Sequence, residues 1–228
     1  MTAPVRPEAS PPGGSLEGVP TSVLSEEPRR PRWRVGTVGV TLAIVVGLLL
    51  GYAAGLLTPR LLAPGENSPE AGFARDMSTH HAQAVEMGML VAKNGSNADV
   101  RSLGEDIALT QQGQIGVMSQ WLRDWHLEPT GSNPQMAWMP EGTAALQNGL
   151  MPGMATEAEM TALRNARGAA ADKLFLQLML KHHLGGIHMA EAAVKLSDND
   201  DVRWLAQTMV DGQRKEITVI QSLQKVVA

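Results

Sequence analysis

The sequence predicts an all-α chain: one membrane-spanning helix, then a four-helix bundle built from two duplicated helix pairs. Three observations carry that expectation. A single long apolar run lies near the N-terminus, the later segments show helical periodicity with no strand-like alternation, and the chain repeats itself at an offset of 102 residues. Shifted by that offset, Phe73 falls on Phe175, Met77 on Met179, His80-His81 on His182-His183 and Met87 on Met189. Asp99-Val100-Arg101 then meets Asp201-Val202-Arg203, Gln111 meets Gln213 and Ile115 meets Ile217, without a gap. About fourteen of fifty-one aligned positions are identical, against roughly three for unrelated sequence of ordinary composition.

Residues 1–34 are rich in Pro, Glu, Ser and Arg, too poor in apolar surface to offset the entropy of ordering, and read as a disordered cytoplasmic tail. Val35 to Leu57 holds no Asp, Glu, Lys or Arg and matches the roughly 20 apolar residues that a bilayer core demands. Arg29, Arg30, Arg32 and Arg34 crowd its N-terminal flank, with Arg60 alone beyond the other end, so the positive-inside bias keeps the tail in the cytoplasm and exports the rest. The run is longer than a signal-peptide core and follows a long leader, which favours an uncleaved anchor, although Tyr52-Ala53-Ala54-Gly55 would suit cleavage. Gly47, Gly51 and Gly55 place a small residue every four positions, a spacing that lets two anchors pack as a homodimer.

After a linker over 58–67, residues 68–228 form the extracytoplasmic bundle, with repeats at 69–127 and 170–227. The first helix opens at Ser68-Pro69-Glu70, an N-cap followed by Pro at the first helical position, and stops at Lys93-Asn94-Gly95. The second starts in Ser96-Asn97-Ala98-Asp99, with Ser96 and Asp99 as a capping pair, and ends by Glu128-Pro129. The second repeat places helices from about Ala170 to Leu196 and Asn199 to Val226, where Asp198 and Asp201 repeat that cap. Between the repeats lies a Met-rich linker, 129–155, too long for an idle connector, and then a short capped helix from Thr156 to about Ala166. Two helix pairs joined by one long crossover make the ferritin-like variant of the bundle.

Charge and composition exclude several function classes. The formal charge of −4 leaves the exported part near −6, without the basic footprint that nucleic acid requires. There is no cysteine, hence no disulfide framework, thiolate zinc site or cysteine nucleophile.

Phe73, Met77, His80, His81, Ala84, Met87 and Gly88 share one helical stripe, with Glu86 opposite. The copy places Phe175, Met179, His182, His183, Gly186, Met189 and Ala190 on the same stripe, with His188 turned outward. A Met stripe serves core packing as readily as a soft ion. Adjacent histidines on the inward face of both copies are another matter, because four buried imidazoles are costly unless each has a partner. Metal ligation and buried structural histidines both fit, and ligation fits better. Carboxylate-bridged di-iron bundles need Glu-x-x-His, whereas the pattern here is Met-x-x-His-His, and the partner-helix acids Glu105, Asp106 and Asp211 do not pair under the repeat. Thioether and imidazole donors select copper, Cu(I) above all; zinc would use the imidazoles and leave Met idle. Met136, Met139, Met151 and Met154 in the linker serve equally as further ligands or as a plug, and Trp138 as a shield or a pin.

The doubled Met/His-His motif, the Gln111 and Gln213 helices and the run Met151-Pro152-Gly153-Met154 before Thr156 resemble the DUF305 family, exported bacterial domains of ferritin-like helical fold. The resemblance covers about Pro69 to Val226. Some members are implicated in copper binding and tolerance, which implies the same here, with Met77, His80, His81, Met87, Met179, His182, His183 and Met189 as implied ligands and His188, at the position of Glu86, enriching the second copy. The expectation is a membrane-tethered copper buffer or chaperone, not an enzyme, that releases its ion as histidine protonates near pH 6.5. Two other readings stay open: a partner-binding envelope domain with core histidines, and a ferritin-like redox metalloenzyme.

Overall fold

The computed structural model describes residues 36–140 and 142–227, and the expected cytoplasmic tail, 1–34, lies outside them together with Val35. Helix α1 spans Thr37–Leu62. Its segment Thr37–Thr58 has a mean hydropathy of 2.3 and no buried residue, so this helix is long and apolar enough to cross a bilayer. The helix continues five residues past the expected end at Leu57, which shortens the expected linker at its N-terminal side.

From Ala53 onward the chain forms one compact unit. Its helices are α2 (Pro69–Asn94), α3 (Ala98–Asp124), α4 (Glu157–Asn165), α5 (Ala169–Leu196) and α6 (Asp200–Val226). Among the described residues there is no β-strand, only an isolated bridge between Gln147 and Leu150. The expected all-α class, its four long bundle helices and the short capped fifth are all present. α2 packs on α3, α5 on α6, and the two hairpins meet through α2 and α5.

Local chemistry sets the helix ends. Ser68 caps α2 by accepting from Ala71 N–H at 3.2 Å, with Pro69 at the first helical position. Thr156 and Glu159 form a reciprocal capping box on α4. The caps of α3 and α6 differ from the expectation: Asn97 and Asn199, not Ser96 and Asp198, accept the first helical N–H groups. Gly95 also has a different reason. Its φ of −72° needs no glycine, but a Cβ there would collide with the Asp172 carboxylate.

That carboxylate shows how the hairpins interlock. Asp172, near the start of α5, accepts from Ser96 N–H, Ser96 Oγ–H at 2.7 Å and Asn97 N–H at 2.9 Å, ahead of α3. Its repeat equivalent Glu70, near the start of α2, accepts from Ser197 Oγ–H at 2.8 Å and Asp198 N–H at 2.9 Å, ahead of α6. The start of each inner helix therefore lies beside the end of the other. α2 and α5 run antiparallel, related by a pseudo-twofold axis.

The linker is pinned to this frame. Buried Asp76 accepts from Met136 N–H at 2.7 Å and Trp138 Nε1–H at 2.9 Å, and the Gln83 amide both donates to and accepts from Ala155. Gly153, at φ 82°, sits against the backbone of α5, and a Cβ on Gly185 would strike the Pro152 carbonyl.

Candidate metal centre

The inward stripe read from the sequence is the buried face of α2 and α5: His80, His81, His182 and His183 are at most 1 % exposed, and Met77, Met87, Met179 and Met189 are fully buried. The pseudo-twofold brings His80 and His182 together at the centre, with ring centroids 3.8 Å apart, and His183 lies 6.5 Å from His182.

Each imidazole uses its Nε2. His80 Nε2–H donates to the Pro152 carbonyl at 3.0 Å, and His182 Nε2–H to the His80 carbonyl at 2.9 Å. His81 Nε2 meets Gln114 Oε1 at 2.7 Å, and His183 Nε2 meets Glu216 Oε2 at 2.6 Å. A carbonyl or carboxylate oxygen can only accept, so each Nε2 carries a proton, and the tautomer this fixes is the one whose lone pair lies on Nδ1. The Nδ1 atoms of His80, His81 and His183 are buried without a partner. Gln111 and Gln213, equivalent residues on α3 and α6, add buried amide atoms that are likewise unpartnered. Gln213 lies against α5, since a Cβ on Gly186 would come within 2.6 Å of its Oε1. Among the described residues, every orphaned buried side-chain polar atom belongs to these five residues. Buried polar atoms are normally satisfied, so such a concentration marks where a ligand or ordered water completes the structure.

The methionines are graded by distance. At about 1.5 Å of rise per residue, Met77 and Met179 lie roughly one turn from the histidine layer on opposite sides, and Met87 and Met189 about two turns away. Met77 and Met189 share one apolar cluster with Met118, Met136, Met139, Met151 and Met209, and Met154 packs partly buried against it. Met87 and Met179 belong to a second cluster with Met160. The eight implied ligands therefore do not converge on one point, and Met139, Met151 and Met154 fill an apolar core. His188 is exposed on the outer side of α5, away from the orphaned atoms. Among the described residues no three His, Asp or Glu side chains come together in a group that could hold a metal ion by themselves. Glu105, Asp106 and Asp211 are exposed.

Burial also moves the acid chemistry. It pushes His80 down to about 4, opposed by the Pro152 hydrogen bond, and pushes His81, with His80 beside it, to about 3. His182 is held well below the usual histidine range by burial and by its imidazole neighbours. For His80, His81 and His182 the expected titration near pH 6.5 is therefore displaced downward, because a protonated ring would have to be desolvated.

Gln114 and Glu216 are the contributors that residue type alone did not single out. Their signal was the repeat itself: both stand thirty-three positions after the second histidine of their pair, and they face the helix that carries it.

The family model described as "Domain of unknown function (DUF305)" matches residues 70–224. A putative secreted DUF305 protein from Streptomyces coelicolor is 42 % identical, with a TM-score of 0.66 over 72 % of this chain and 96 % of that one. A DUF305 fragment from Deinococcus radiodurans is 30 % identical, with a TM-score of 0.57 over 69 % and 95 %. CopM, in a structure described as its Cu(I)-bound form, is 18 % identical with a TM-score of 0.54 over 69 % and 96 %, a likeness of fold. No curated protein matches the chain. With the duplicated histidine helices, the buried Gln pair and a family match spanning the whole bundle, this chain belongs to the DUF305 family.

Proposed function

We propose that the bundle binds copper, Cu(I) in preference, and serves as a membrane-tethered extracytoplasmic buffer or chaperone. The observation that carries this reading is the set of buried, unpartnered Nδ1 lone pairs on His80, His81 and His183, each oriented by a hydrogen bond at the far nitrogen. Neutral imidazoles flanked by the thioethers of Met77 and Met179 are a soft donor set, suited to Cu(I). The shared fold of CopM, which is described in both Cu(I)- and Cu(II)-bound forms, supports the same ion. Zinc would use the imidazoles alone.

The absence of a paired-carboxylate pattern favours sequestration over turnover, so the chain acts as a carrier and not as an enzyme. α1 anchors it, with the Arg-rich flank inside and the bundle outside. Anchors pair through Gly47, Gly51 and Gly55, where the helix surface has open space. Failure of cysteines placed along that stripe to crosslink in membranes would remove the pairing and leave the copper reading intact.

The test is a competitive Cu(I) titration of the detergent-solubilised chain against a chromogenic chelator, beside the variant with His80, His81, His182 and His183 all changed to Ala. Tight binding that the variant loses is expected. A folded wild-type chain that binds no copper would make the histidines structural.

A further inference from the structure

The two histidine pairs are sequence copies, yet the residues that receive their outer N–H groups differ in charge. His81 Nε2–H donates to the neutral Gln114 amide, and His183 Nε2–H donates to the carboxylate of Glu216 at 2.6 Å. Positions 114 and 216 are equivalent under the repeat, so one ancestral place holds an amide in one half and an anion in the other.

We propose that Glu216 is the positioning residue that makes His183 the anchoring donor for the bound cation, and that keeping this carboxylate single, with the neutral Gln114 at the matching place, preserves the preference for a monovalent ion. The proposal rests on the copper reading above. Three observations carry it. His183 Nδ1 is buried and unpartnered, so the lone pair opposite Glu216 faces no competing proton donor. The Glu216 side chain is only 25 % exposed, and among the described residues its sole ionic neighbour is His183, which is itself 0 % exposed. The carboxylate lies at the ring edge opposite Nδ1, so it faces a cation held on that nitrogen across the imidazole. The other acids on the partner helices that the sequence offers, Glu105, Asp106 and Asp211, are exposed, and none of them is the hydrogen-bond partner of a histidine.

A carboxylate behind a ligating imidazole fixes its tautomer and raises its basicity. Gln114 and the Pro152 carbonyl also fix a tautomer, and only Glu216 adds a full negative charge. One such charge, set among neutral imidazoles and thioethers, balances one Cu(I). Two would balance a dication better.

The experiment uses the full chain in detergent, with Glu216→Gln and Gln114→Glu measured by Cu(I) competition and by Zn(II) titration. Glu216→Gln places in the second repeat the amide that the first already carries there, so shape and hydrogen bond are kept and the charge alone is lost. Its expected effect is a loss of about 10- to 100-fold in Cu(I) affinity, with a larger loss for Zn(II), because a charge effect scales with the charge of the ion. Gln114→Glu is expected to tighten Zn(II) more than Cu(I) and so to narrow the preference between them. Metal-free melting of both variants reports the fold. Equal losses for the two ions would make Glu216 merely structural and overturn the proposal, as would unchanged affinities in both variants. A wild-type chain that binds no copper would instead overturn the reading on which the proposal rests.

Discussion

The two repeats agree where they hold the bundle together and differ where the linker lands. Glu70 and Asp172 do the same work at opposite ends, each capping the turn before the outer helix of the other hairpin. Phe73 and Phe175, the four motif methionines and the four histidines are all buried under the pseudo-twofold. Asp76 and Gln83, which grip the linker at Met136, Trp138 and Ala155, have Leu178 and Gly185 as their counterparts. Gly185 is the seat on which Pro152 rests. The hairpins differ in closeness too: a Cβ on Gly88 would collide with the Gly104 carbonyl, whereas Ala190 and Ala206 occupy the same places in the second repeat. A duplicated helix pair thus supplies a symmetric frame, and one connector breaks the symmetry so that His80 is held by the linker and His182 by the backbone of α2.

Acid should break the frame most strongly. The folded-state pKa values of His80 and His81 are depressed to about 4 and about 3, against roughly 6.5 when unfolded, so between those values only the unfolded chain binds the protons. Their contribution to stability is whole above pH 6.5 and is lost as pH falls toward 4 and then 3, by up to about 3 kcal/mol for His80 and about 5 kcal/mol for His81. Urea midpoints of the metal-free chain should fall across that window, and His81→Gln should flatten the slope. A stability independent of pH between 7 and 4 would contradict the buried neutral assignment.

The matched carboxylates come next. Asp172→Ala should cost about 3 kcal/mol and Glu70→Ala about 2 kcal/mol, since Asp172 satisfies more donors in a more buried place. Chemical denaturation of the two variants decides the order, and a larger loss at Glu70 would mean that the α6 turn is the weaker joint. Gly88→Ala should cost about 2 kcal/mol by forcing α2 and α3 apart. The reverse exchange in the other hairpin, Ala190→Gly, should cost about 1 to 2 kcal/mol through helix propensity and the loss of one buried methyl. Melting temperatures would separate the two, and equal shifts would show that the hairpins are equally close. His188→Ala is the smallest: a change within about 0.5 kcal/mol and no change in Cu(I) affinity, because the residue is exposed. A tenfold weaker affinity would bring His188 into the ligand set.

The repeat, the helices, the inward face and the apolar N-terminal helix were legible in the chain, because the periods of burial and of duplication are written in residue order. Residue spacing also located the buried histidines on one face of each helix. It could not show that Met77 pairs by cluster with Met189 and Met87 with Met179, because that follows from the antiparallel crossing of α2 and α5. Gly95 reads as a helix stop and is also room for a carboxylate seventy-seven positions away, a steric fact with no local signature. The linker methionines carried no period, and their burial depends on Asp76 holding Met136 and Trp138 from another helix. Sequence alone thus determined the elements, their faces and the residue types available for chemistry. Tertiary structure decided which imidazole nitrogen carries the proton, which lone pairs remain unpartnered and which histidine has a charged neighbour, because each depends on a contact between segments that only folding brings together.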